Sequence, residues 1–270
     1  MTDPSRYRIA PGTSVRLADY ATKESDGKDK DTLKDEFKAL RKRLAEMQER
    51  LFSENKRSLL LVLQAMDGAG KDSTIRSLFS RVGPQGLRVA AFKKPTEIEL
   101  SHDFLWRVHQ QAPAQGETVV FNRSHYEDVF VVKVHDWVSD ETIARRYDHI
   151  RQFEELLSDA GTRIVKVLLH VSNDYQLSRM QRRLDRPDKN WKFDPNDLKE
   201  RKLWDDYMRA FETAIERTST ESAPWYVVPA ENRPYRDVVV GQLLLDAYES
   251  LDPQYPEPTF DPQTITVDDA

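Results

Sequence analysis

The sequence predicts an α/β protein built on a central parallel sheet, and two observations lead to that prediction. Short apolar runs, each long enough for one strand, alternate with segments of helical periodicity along most of the chain. Such alternation produces βαβ units, in which helices cover both faces of a parallel sheet. In addition, the first apolar run leads through a glycine-bearing turn directly into a helix. The 270 residues suit one large domain of this class.

The elements are predicted in chain order. Residues 1–30 form an extended leader, and apolar residues spaced by three and four predict a helix over Asp31–Phe52. Unbroken apolar runs, typical of strands buried on both faces, lie at Leu59–Leu63, Leu87–Phe92, Thr118–Phe121, Ile164–Val171 and Trp225–Val228. Further helices are predicted over Glu141–Leu157, Asp174–Leu184, Asp197–Arg217 and Pro234–Leu251. We therefore expect one domain over residues 31–251, followed by an extended proline-rich tail over 252–270.

The composition argues against several classes of function. No stretch reaches the roughly 20 apolar residues that a membrane helix needs, and the polar start of the chain lacks the apolar run of a signal peptide. The absence of cysteine excludes disulfides and thiolate chemistry. We therefore expect a cytoplasmic protein without a membrane partner. The net charge of −5 argues against general nucleic-acid binding, and the six histidines show no metal-ligand spacing.

The glycine-bearing turn, residues 65–74, is typical of a phosphate-binding P-loop. Gly68 and Gly70 let the backbone approach phosphate closely, and Lys71 adds a mobile cation at the start of the helix. Successive backbone N–H groups then point at the anion. The loop residues expected around phosphate are Gly68, Ala69, Gly70, Asp72 and Ser73. A chance glycine turn is the alternative, which the lysine and the strand–loop–helix context disfavour.

This loop departs from the usual P-loop at two positions. The usual pattern begins with glycine, where this chain has Ala65, and has Ser or Thr after the lysine, where this chain has Asp72. The missing hydroxyl is the one that normally holds Mg²⁺. Because Mg²⁺ prefers carboxylate oxygen, Asp67 is the candidate metal ligand.

A second polar segment, residues 122–128, follows the third predicted strand. The carboxyl ends of parallel strands face one crevice, so Asn122 and Arg123 are expected near the P-loop phosphates. The planar fork of Arg123 suits phosphate, although a structural salt bridge is its alternative role. A Walker B strand usually ends in Asp, where this chain has Asn122. His125 and Tyr126 are equally well explained as packing residues.

A basic stretch over residues 178–195 predicts a lid. Arg186-Pro187-Asp188 breaks the preceding helix and Asp194-Pro195 opens a new one, which gives a basic helix–loop–helix. In a P-loop kinase such an element closes over phosphate; a solvated basic face is the alternative. The cations expected to hold a polyanion are Arg179, Arg182, Arg183, Lys189 and Lys192.

Taken together, these segments resemble the polyphosphate kinase 2 family. The matching stretches are residues 67–71, 92–96, 122–127, 188–193 and 223–229. Their order and spacing are specific in combination, although no single motif is. The resemblance covers nearly the whole chain, from Tyr7 to the proline-rich tail.

The resemblance implies a three-layer α/β/α P-loop kinase fold similar to thymidylate kinase, with a helical lid. It implies reversible transfer of the terminal phosphate of inorganic polyphosphate to AMP and ADP, with Mg²⁺ or Mn²⁺ as cofactor and a homo-oligomer, dimer or tetramer, as the assembly. Catalytic roles are implied for Asp67, Lys71 and Arg123. The nucleotide-binding residues that it implies are Lys93, Lys94, Asn122 and Glu127.

The segment Asn-Arg-Ser-x-Tyr-Glu is similar to that of the class III branch of the family, which acts on both AMP and ADP. The family often has Asp at the position of Asn122, which leaves open whether this residue helps to bind the metal.

Two other functions share parts of this pattern. An ATP-dependent nucleoside monophosphate kinase would have the same P-loop and lid, although the two aspartates of the loop, Asp67 and Asp72, argue against it. A non-catalytic nucleotide-binding switch is expected to carry an Asn-Lys-x-Asp guanine motif, which this sequence lacks.

Overall fold

The computed structural model describes residues 2–265 and 267 of the chain. The strands are β1 (Arg8–Ile9), β2 (Ser58–Gln64), β3 (Leu87–Ala91), β4 (Thr118–Asn122), β5 (Thr162–His170) and β6 (Trp225–Pro229). The helices are α1 (Lys30–Glu54), α2 (Lys71–Leu78), α3 (Glu97–Leu100), α4 (Trp106–His109), α5 (Glu127–Val134), α6 (Asp140–Asp159), α7 (Asn173–Leu184), α8 (Asn196–Arg201), α9 (Trp204–Thr218) and α10 (Arg233–Leu251).

The six strands form one sheet in the order β1–β6–β5–β2–β4–β3. β2 lies between β4 and β5 and pairs parallel with both, and every residue of β2 is buried. The parallel pairing predicted from the sequence is confirmed for β2 to β6. The sheet as a whole is mixed, because the unpredicted strand β1 pairs antiparallel with β6 at one edge.

Helices cover both faces of the sheet, which confirms the three-layer α/β/α prediction. Side chains alternate between the faces along β2, since successive residues of a strand point to opposite sides. Leu59, Leu61 and Leu63 pack in the apolar layer beneath α1, α2 and α10. Leu60 and Val62 pack in the opposite layer, beneath α5, α6 and α9.

The contact between α1 and α10 is unusually close at one glycine. A Cβ on Gly241 of α10 would overlap Leu40 Cδ2 of α1. The Leu40 side chain therefore occupies the space that the absence of a side chain at position 241 leaves between α10 and α1.

Several elements differ from the prediction. The leader, predicted as extended, also carries β1 and buries Ile9 and Leu17 in the core; its residue 1 lies outside the described residues. The predicted helix over 197–217 is broken between α8 and α9, and α5 was not predicted. The predicted extended tail has one 3-10 turn at Pro262–Thr264, and its residues 266 and 268–270 lie outside the described part. The domain boundaries stay a prediction. None of the described helices combines the length and the apolar character that a membrane crossing requires.

Candidate active site

The predicted P-loop lies at the carboxyl end of β2, where residues 65–70 lead into α2. Gly68 and Gly70 have φ values of +87° and +109°, a region of backbone conformation that other residues rarely adopt. Gly70 is the N-cap of α2, so the free N–H groups of the first helical turn lie beside the loop. This arrangement favours an anion at the loop.

The Lys71 ammonium is buried and is held by its own loop. Its Nζ donates to the Ala65 carbonyl oxygen at 2.6 Å and lies 3.8 Å from Asp67 Oδ1. Burial lowers the pKa of Lys71, and the negative charge of Asp67 opposes this shift. A phosphoryl group bound in the loop would compete with the Ala65 carbonyl for this ammonium.

Asp67 and Arg123 form an ion pair across the site. Arg123 Nη2 donates to Asp67 Oδ1 at 2.7 Å. Burial alone would raise the pKa of the Asp67 carboxyl, but the charges of Lys71 and Arg123 outweigh burial and hold this pKa below its ordinary value. The structure thus gathers Asp67, Lys71 and Arg123 into one cluster, although their catalytic roles stay a prediction.

Arg123 directly follows β4 and has an unusual backbone conformation. Arg123 has a φ of +63°, and its backbone N–H donates to Leu63 O of β2 at 3.2 Å. Positive φ is uncommon for a residue with a long side chain and is often found at functional sites. The turn is what directs this guanidinium toward the P-loop rather than along the strand.

Asp72, which replaces the usual Ser or Thr of a P-loop, connects three parts of the site. Asn122 Nδ2 of β4 donates to its Oδ1 at 3.0 Å, and Lys192 Nζ of the lid donates to its Oδ2 at 3.2 Å. Burial alone would raise the pKa of Asp72, but the hydrogen bonds from Asn122 and Lys192 outweigh burial, and the pKa lies below its ordinary value. Asn122 therefore contacts a P-loop side chain, as its position at the strand end predicted.

The site fits a metal ion bound by Asp67 together with substrate oxygens. Mg²⁺ at phosphoryl-transfer sites is held by one or two carboxylates, phosphates and water. The Asp67 side chain is 34% exposed, and its Oδ2 accepts no hydrogen bond from any residue that the structure describes. Over the described ranges, no cluster of three or more His, Asp or Glu side chains forms a separate metal site.

Of the predicted nucleotide-binding residues, Glu127 lies within the charged cluster. The Gln64 side-chain amide is oriented so that its nitrogen and its oxygen both have hydrogen-bond partners. In this orientation the nitrogen donates to Glu127 Oε1 at 2.9 Å. Burial raises the pKa of Glu127, although Arg123 and Lys71 oppose this shift. Lys93 and Lys94 are exposed and follow β3, at the same edge of the sheet as the P-loop, without contacting the cluster.

The predicted lid, residues 178–195, comprises the second half of α7 and a 3-10 helix over Pro187–Lys192, and α8 follows it. Three of its predicted phosphate-binding cations have partners in the protein. Arg183 donates to Asp197 Oδ2 at 3.0 Å and to the Lys192 carbonyl at 3.2 Å, and Lys189 lies 3.0 Å from Asp188. Lys192 contacts Asp72, as described above.

Arg179 and Arg182 of α7 differ from these cations. Arg182 forms no side-chain hydrogen bond or ion pair with any other described residue, and Arg179 Nε is buried without a partner. The phosphate-binding roles of all five lid cations stay predictions.

A buried polar network beneath residues 122–127 was missed by the sequence reasoning. Lys166 Nζ of β5 donates to Glu154 Oε2 at 2.5 Å, to the Tyr126 hydroxyl at 3.0 Å and to the Thr218 carbonyl at 2.8 Å. His125 Nε2 lies 3.3 Å from Glu154 Oε1. The network anchors the turn that carries Arg123. Its signal in the sequence was a lysine within the apolar run Ile164–Leu169.

Two arginines at the start of α10, Arg233 and Arg236, were also missed. Arg236 is 1% exposed, and a Cβ on Gly70 would lie 2.6 Å from its Nη1. The position of Arg236 in the chain gives no hint of this, because only the folding of α10 against α2 brings Arg236 to the P-loop.

Comparison with known proteins identifies the family. A family model described as polyphosphate kinase 2 matches residues 27–256. The chain belongs to the polyphosphate kinase 2 family. This membership confirms the resemblance found in the sequence and identifies the protein as an enzyme, a phosphotransferase. It disfavours the two other functions considered, an ATP-dependent nucleoside monophosphate kinase and a non-catalytic switch.

Relatives match this polyphosphate kinase 2 chain over nearly its full length. The AMP/ADP-polyphosphate phosphotransferase of Meiothermus ruber is 47% identical, over 97% of this chain and 99% of the relative. The ADP-polyphosphate phosphotransferase of Rhodopseudomonas palustris is 41% identical, over 94% and 92% respectively. The crystal structure of polyphosphate kinase 2 from Arthrobacter aurescens TC1 superposes with a TM-score of 0.93 at 45% identity, covering 96% of this chain and 94% of that one.

Proposed function

We propose that this protein reversibly transfers the terminal phosphate of inorganic polyphosphate to AMP and ADP, forming ADP and ATP. The observation that carries the proposal is the cluster at the P-loop, where Lys71 and Arg123 both lie against Asp67. A lysine ammonium, a planar arginine guanidinium and one carboxylate beside a helix N-terminus suit phosphoryl transfer, because this reaction depends on positioning and on neutralisation of charge. The names of the relatives support polyphosphate as donor and AMP and ADP as acceptors.

The chemical step exchanges one phosphoanhydride bond for another. The bond between the terminal phosphorus of polyphosphate and its bridging oxygen breaks, while a new bond forms from that phosphorus to an oxygen of the acceptor's terminal phosphate. Because one anhydride replaces another, the two sides differ little in free energy, and the reaction runs in either direction with concentration. Lys71 and Arg123 neutralise the negative charge that moves between donor and acceptor oxygens.

A divalent metal, Mg²⁺ or Mn²⁺, belongs to the proposal. Asp67 would hold it with phosphate oxygens, and the ion would supply further positive charge to the transferring group. The lid and the P-loop are already joined by the contact between Lys192 and Asp72. Closure of this kind excludes water, which would otherwise hydrolyse the polyphosphate. A cytoplasmic location and a homo-oligomeric assembly complete the proposal.

The test is a coupled assay with long-chain polyphosphate, Mg²⁺ and either ADP or AMP as the only nucleotide. We expect ATP from ADP, and ADP followed by ATP from AMP, with the products separated by chromatography. The Lys71→Ala variant, which removes the P-loop ammonium, serves as the inactive control. Wild-type protein that forms no ATP from ADP contradicts the proposed reaction. Accumulation of ADP from AMP without ATP contradicts the use of both acceptors.

A further inference from the structure

A buried arginine of α4 joins the segment after β3 to the start of α5. The side chain of Arg107 is 7% exposed, and its Nη1 donates to the Lys93 carbonyl oxygen at 2.9 Å while its Nη2 donates to Asp128 Oδ2 at 3.0 Å. Its guanidinium also lies over the Phe92 ring, with Cζ 5.6 Å from the ring centroid. One side chain therefore fixes a backbone group after β3 and a carboxylate of α5.

Asp128 is itself held from two further directions. Its carbonyl oxygen accepts from Arg146 Nη1 of α6 at 2.7 Å, and its N–H donates to the His125 carbonyl at 3.2 Å. Asp128 directly follows Glu127, which belongs to the charged cluster at the P-loop. Because its carboxylate, carbonyl and N–H are all bonded, Asp128 gives Arg107 a fixed support beside that cluster.

The segment that Arg107 holds is also fixed at both of its ends. At one end, the Phe92 N–H donates to the Asn122 carbonyl of β4 at 3.2 Å. At the other end, Thr96 caps α3, since its Oγ1 accepts from the Glu99 N–H at 3.2 Å and its N–H donates to Glu99 Oε2 at 2.7 Å. A segment that is already ordered loses little further freedom when a ligand binds, which favours affinity.

Between these ends lie two exposed lysines, Lys93 and Lys94. Neither ammonium has a carboxylate partner in the part of the chain that the structure describes. They follow β3, whereas the predicted lid begins in the helix after β5, and these two strands lie on opposite sides of β2 in the sheet. The lysine pair therefore lies on the side of the P-loop away from the lid, where it suits the phosphate of a second substrate.

We propose, building on the proposed function, that Arg107 is a positioning residue for the acceptor nucleotide. It holds the Lys93 carbonyl against α5 and so keeps the lysine pair at a fixed place relative to the P-loop cluster. A planar guanidinium can reach a carbonyl and a carboxylate at once, whereas the ammonium of a lysine is a single point of charge. Because Arg107 is buried, it acts on the nucleotide through the lysine segment and has no direct part in holding polyphosphate.

The test measures the acceptor and the donor separately. Arg107→Lys keeps a cation opposite Asp128 but lacks the second arm, so the Lys93 carbonyl loses its donor. ADP binding, measured by calorimetry without polyphosphate, should weaken about 10-fold, as expected for one lost charge-assisted hydrogen bond. The KM values for AMP and ADP should rise with it, while the KM for polyphosphate stays nearly unchanged. An equal rise in the acceptor and donor KM values overturns the proposal.

Arg88→Lys is the matched control, because it makes the same change near the amino end of β3, away from the P-loop. Arg88 also joins backbone carbonyls to a carboxylate, with contacts at 3.3, 3.1 and 3.1 Å to Gln111 O, Ala112 O and Glu117 Oε2. This variant should lower Tm and leave ADP affinity at the wild-type value. If Arg88→Lys weakens ADP binding as much as Arg107→Lys does, the effect is a general loss of stability and the positioning role is wrong.

A double-mutant cycle tests whether Arg107 acts through the lysines. Lys93→Ala with Lys94→Ala removes the cations that Arg107 positions and should by itself weaken ADP binding. In that background Arg107→Lys should cost little further affinity, because the groups that it positions are gone. Affinity losses that add fully overturn the proposal, since they show that Arg107 and the lysines act independently. Unchanged ADP affinity in the lysine variant overturns it as well.

Asp128→Asn gives a second route to the same answer if Arg107→Lys does not fold. The change keeps the size of the side chain but removes the charge that holds Arg107 in place. It should weaken ADP binding and leave polyphosphate binding nearly unchanged, and a loss of polyphosphate affinity as large as that of ADP contradicts the positioning role.

Direct binding of ADP separates this inference from the proposed reaction. If wild-type protein binds ADP but forms no ATP with polyphosphate, the reaction is wrong, and the cycle still decides the role of Arg107. If wild-type protein forms ATP and Arg107→Lys binds ADP as tightly as wild type does, the positioning role is wrong and the reaction stands.

Discussion

Replacing Glu127 by glutamine separates the energetic cost of this half-buried carboxylate from its part in the reaction. Burial raises the pKa of Glu127, and the nearby charges of Arg123 and Lys71 do not overcome that effect. The ionised side chain is therefore less favourable in the folded protein than in the unfolded chain. Glutamine keeps the size and the Oε1 acceptor of the side chain, so the Gln64 amide retains its partner.

We expect Glu127→Gln to increase the free energy of unfolding by about 1 kcal/mol near neutral pH, a common gain when a costly functional group is removed. For a protein of this size such a gain raises Tm by about 2–4 °C. The gain should come with slower transfer, because Arg123 and Lys71 lose an anionic neighbour that helps to hold them at the site.

The pH dependence has a definite sign. Because the pKa of Glu127 is higher in the folded than in the unfolded protein, the folded state binds more protons between the two values. The contribution of Glu127 to stability therefore falls as pH rises from the ordinary glutamate pKa, about 4.3, to the raised value. The advantage of Glu127→Gln over wild type should be complete above this interval and should vanish below it.

The measurement is urea unfolding of wild type and variant across this pH range, with Asp128→Asn as the matched control. Asp128 is the next residue, but it pairs with Arg107 at 3.0 Å, and both side chains are largely buried. Removing its charge leaves the Arg107 guanidinium uncompensated and should cost about 3 kcal/mol. The reasoning is refuted if Glu127→Gln is less stable than wild type near neutral pH, or if its advantage does not shrink on acidification.

Three further outcomes are expected. Lys71→Ala should lower the transfer rate by about 10²–10³ while Tm stays close to that of wild type; near-normal turnover would contradict the P-loop assignment. Asp67→Asn should shift the midpoint of a Mg²⁺ titration of activity about 10-fold upward, and an unchanged midpoint would exclude this carboxylate as metal ligand. Lys166→Met should destabilise the protein by about 3–5 kcal/mol, because it leaves Glu154 buried without its cation. In chemical denaturation, the double variant Lys166→Met with Glu154→Leu should recover most of that lost free energy of unfolding. A double variant less stable than Lys166→Met alone would show that the ion pair itself stabilises the fold.

The centre of the fold was predictable because local sequence and tertiary structure agree there. The run Leu59–Leu63 lies within β2, and the helix predicted over Asp31–Phe52 corresponds to α1. Asp29 caps α1 by accepting from the Thr32 N–H at 2.8 Å, and Asn55 ends it in a left-handed conformation. The approach of Asn122 and Arg123 to the P-loop followed from one rule, that parallel strands end at a common edge.

The remaining features depend on contacts that the local sequence does not encode. β1 has two residues, too few for a periodic pattern, and it exists because β6 offers it an edge. The apolar residues of α5 do not recur with a helical period, because α5 packs against both α6 and α9 and is apolar on more than one side. Arg236 reaches Gly70 across more than half of the chain, so neither residue signals the other.

The close contact between α1 and α10 links a position far from the P-loop to the packing of the P-loop itself. A side chain at position 241 would require Leu40 to change its conformation or α10 to shift, and α10 also carries Arg233 and Arg236 at its first turn. A shift of α10 at this contact, on the face of the sheet away from α5, α6 and α9, would move Arg236 relative to Gly70 without altering any residue of the P-loop. We therefore expect substitutions at Leu40 or Gly241 to change the kinetics of the enzyme although neither residue lies at the P-loop.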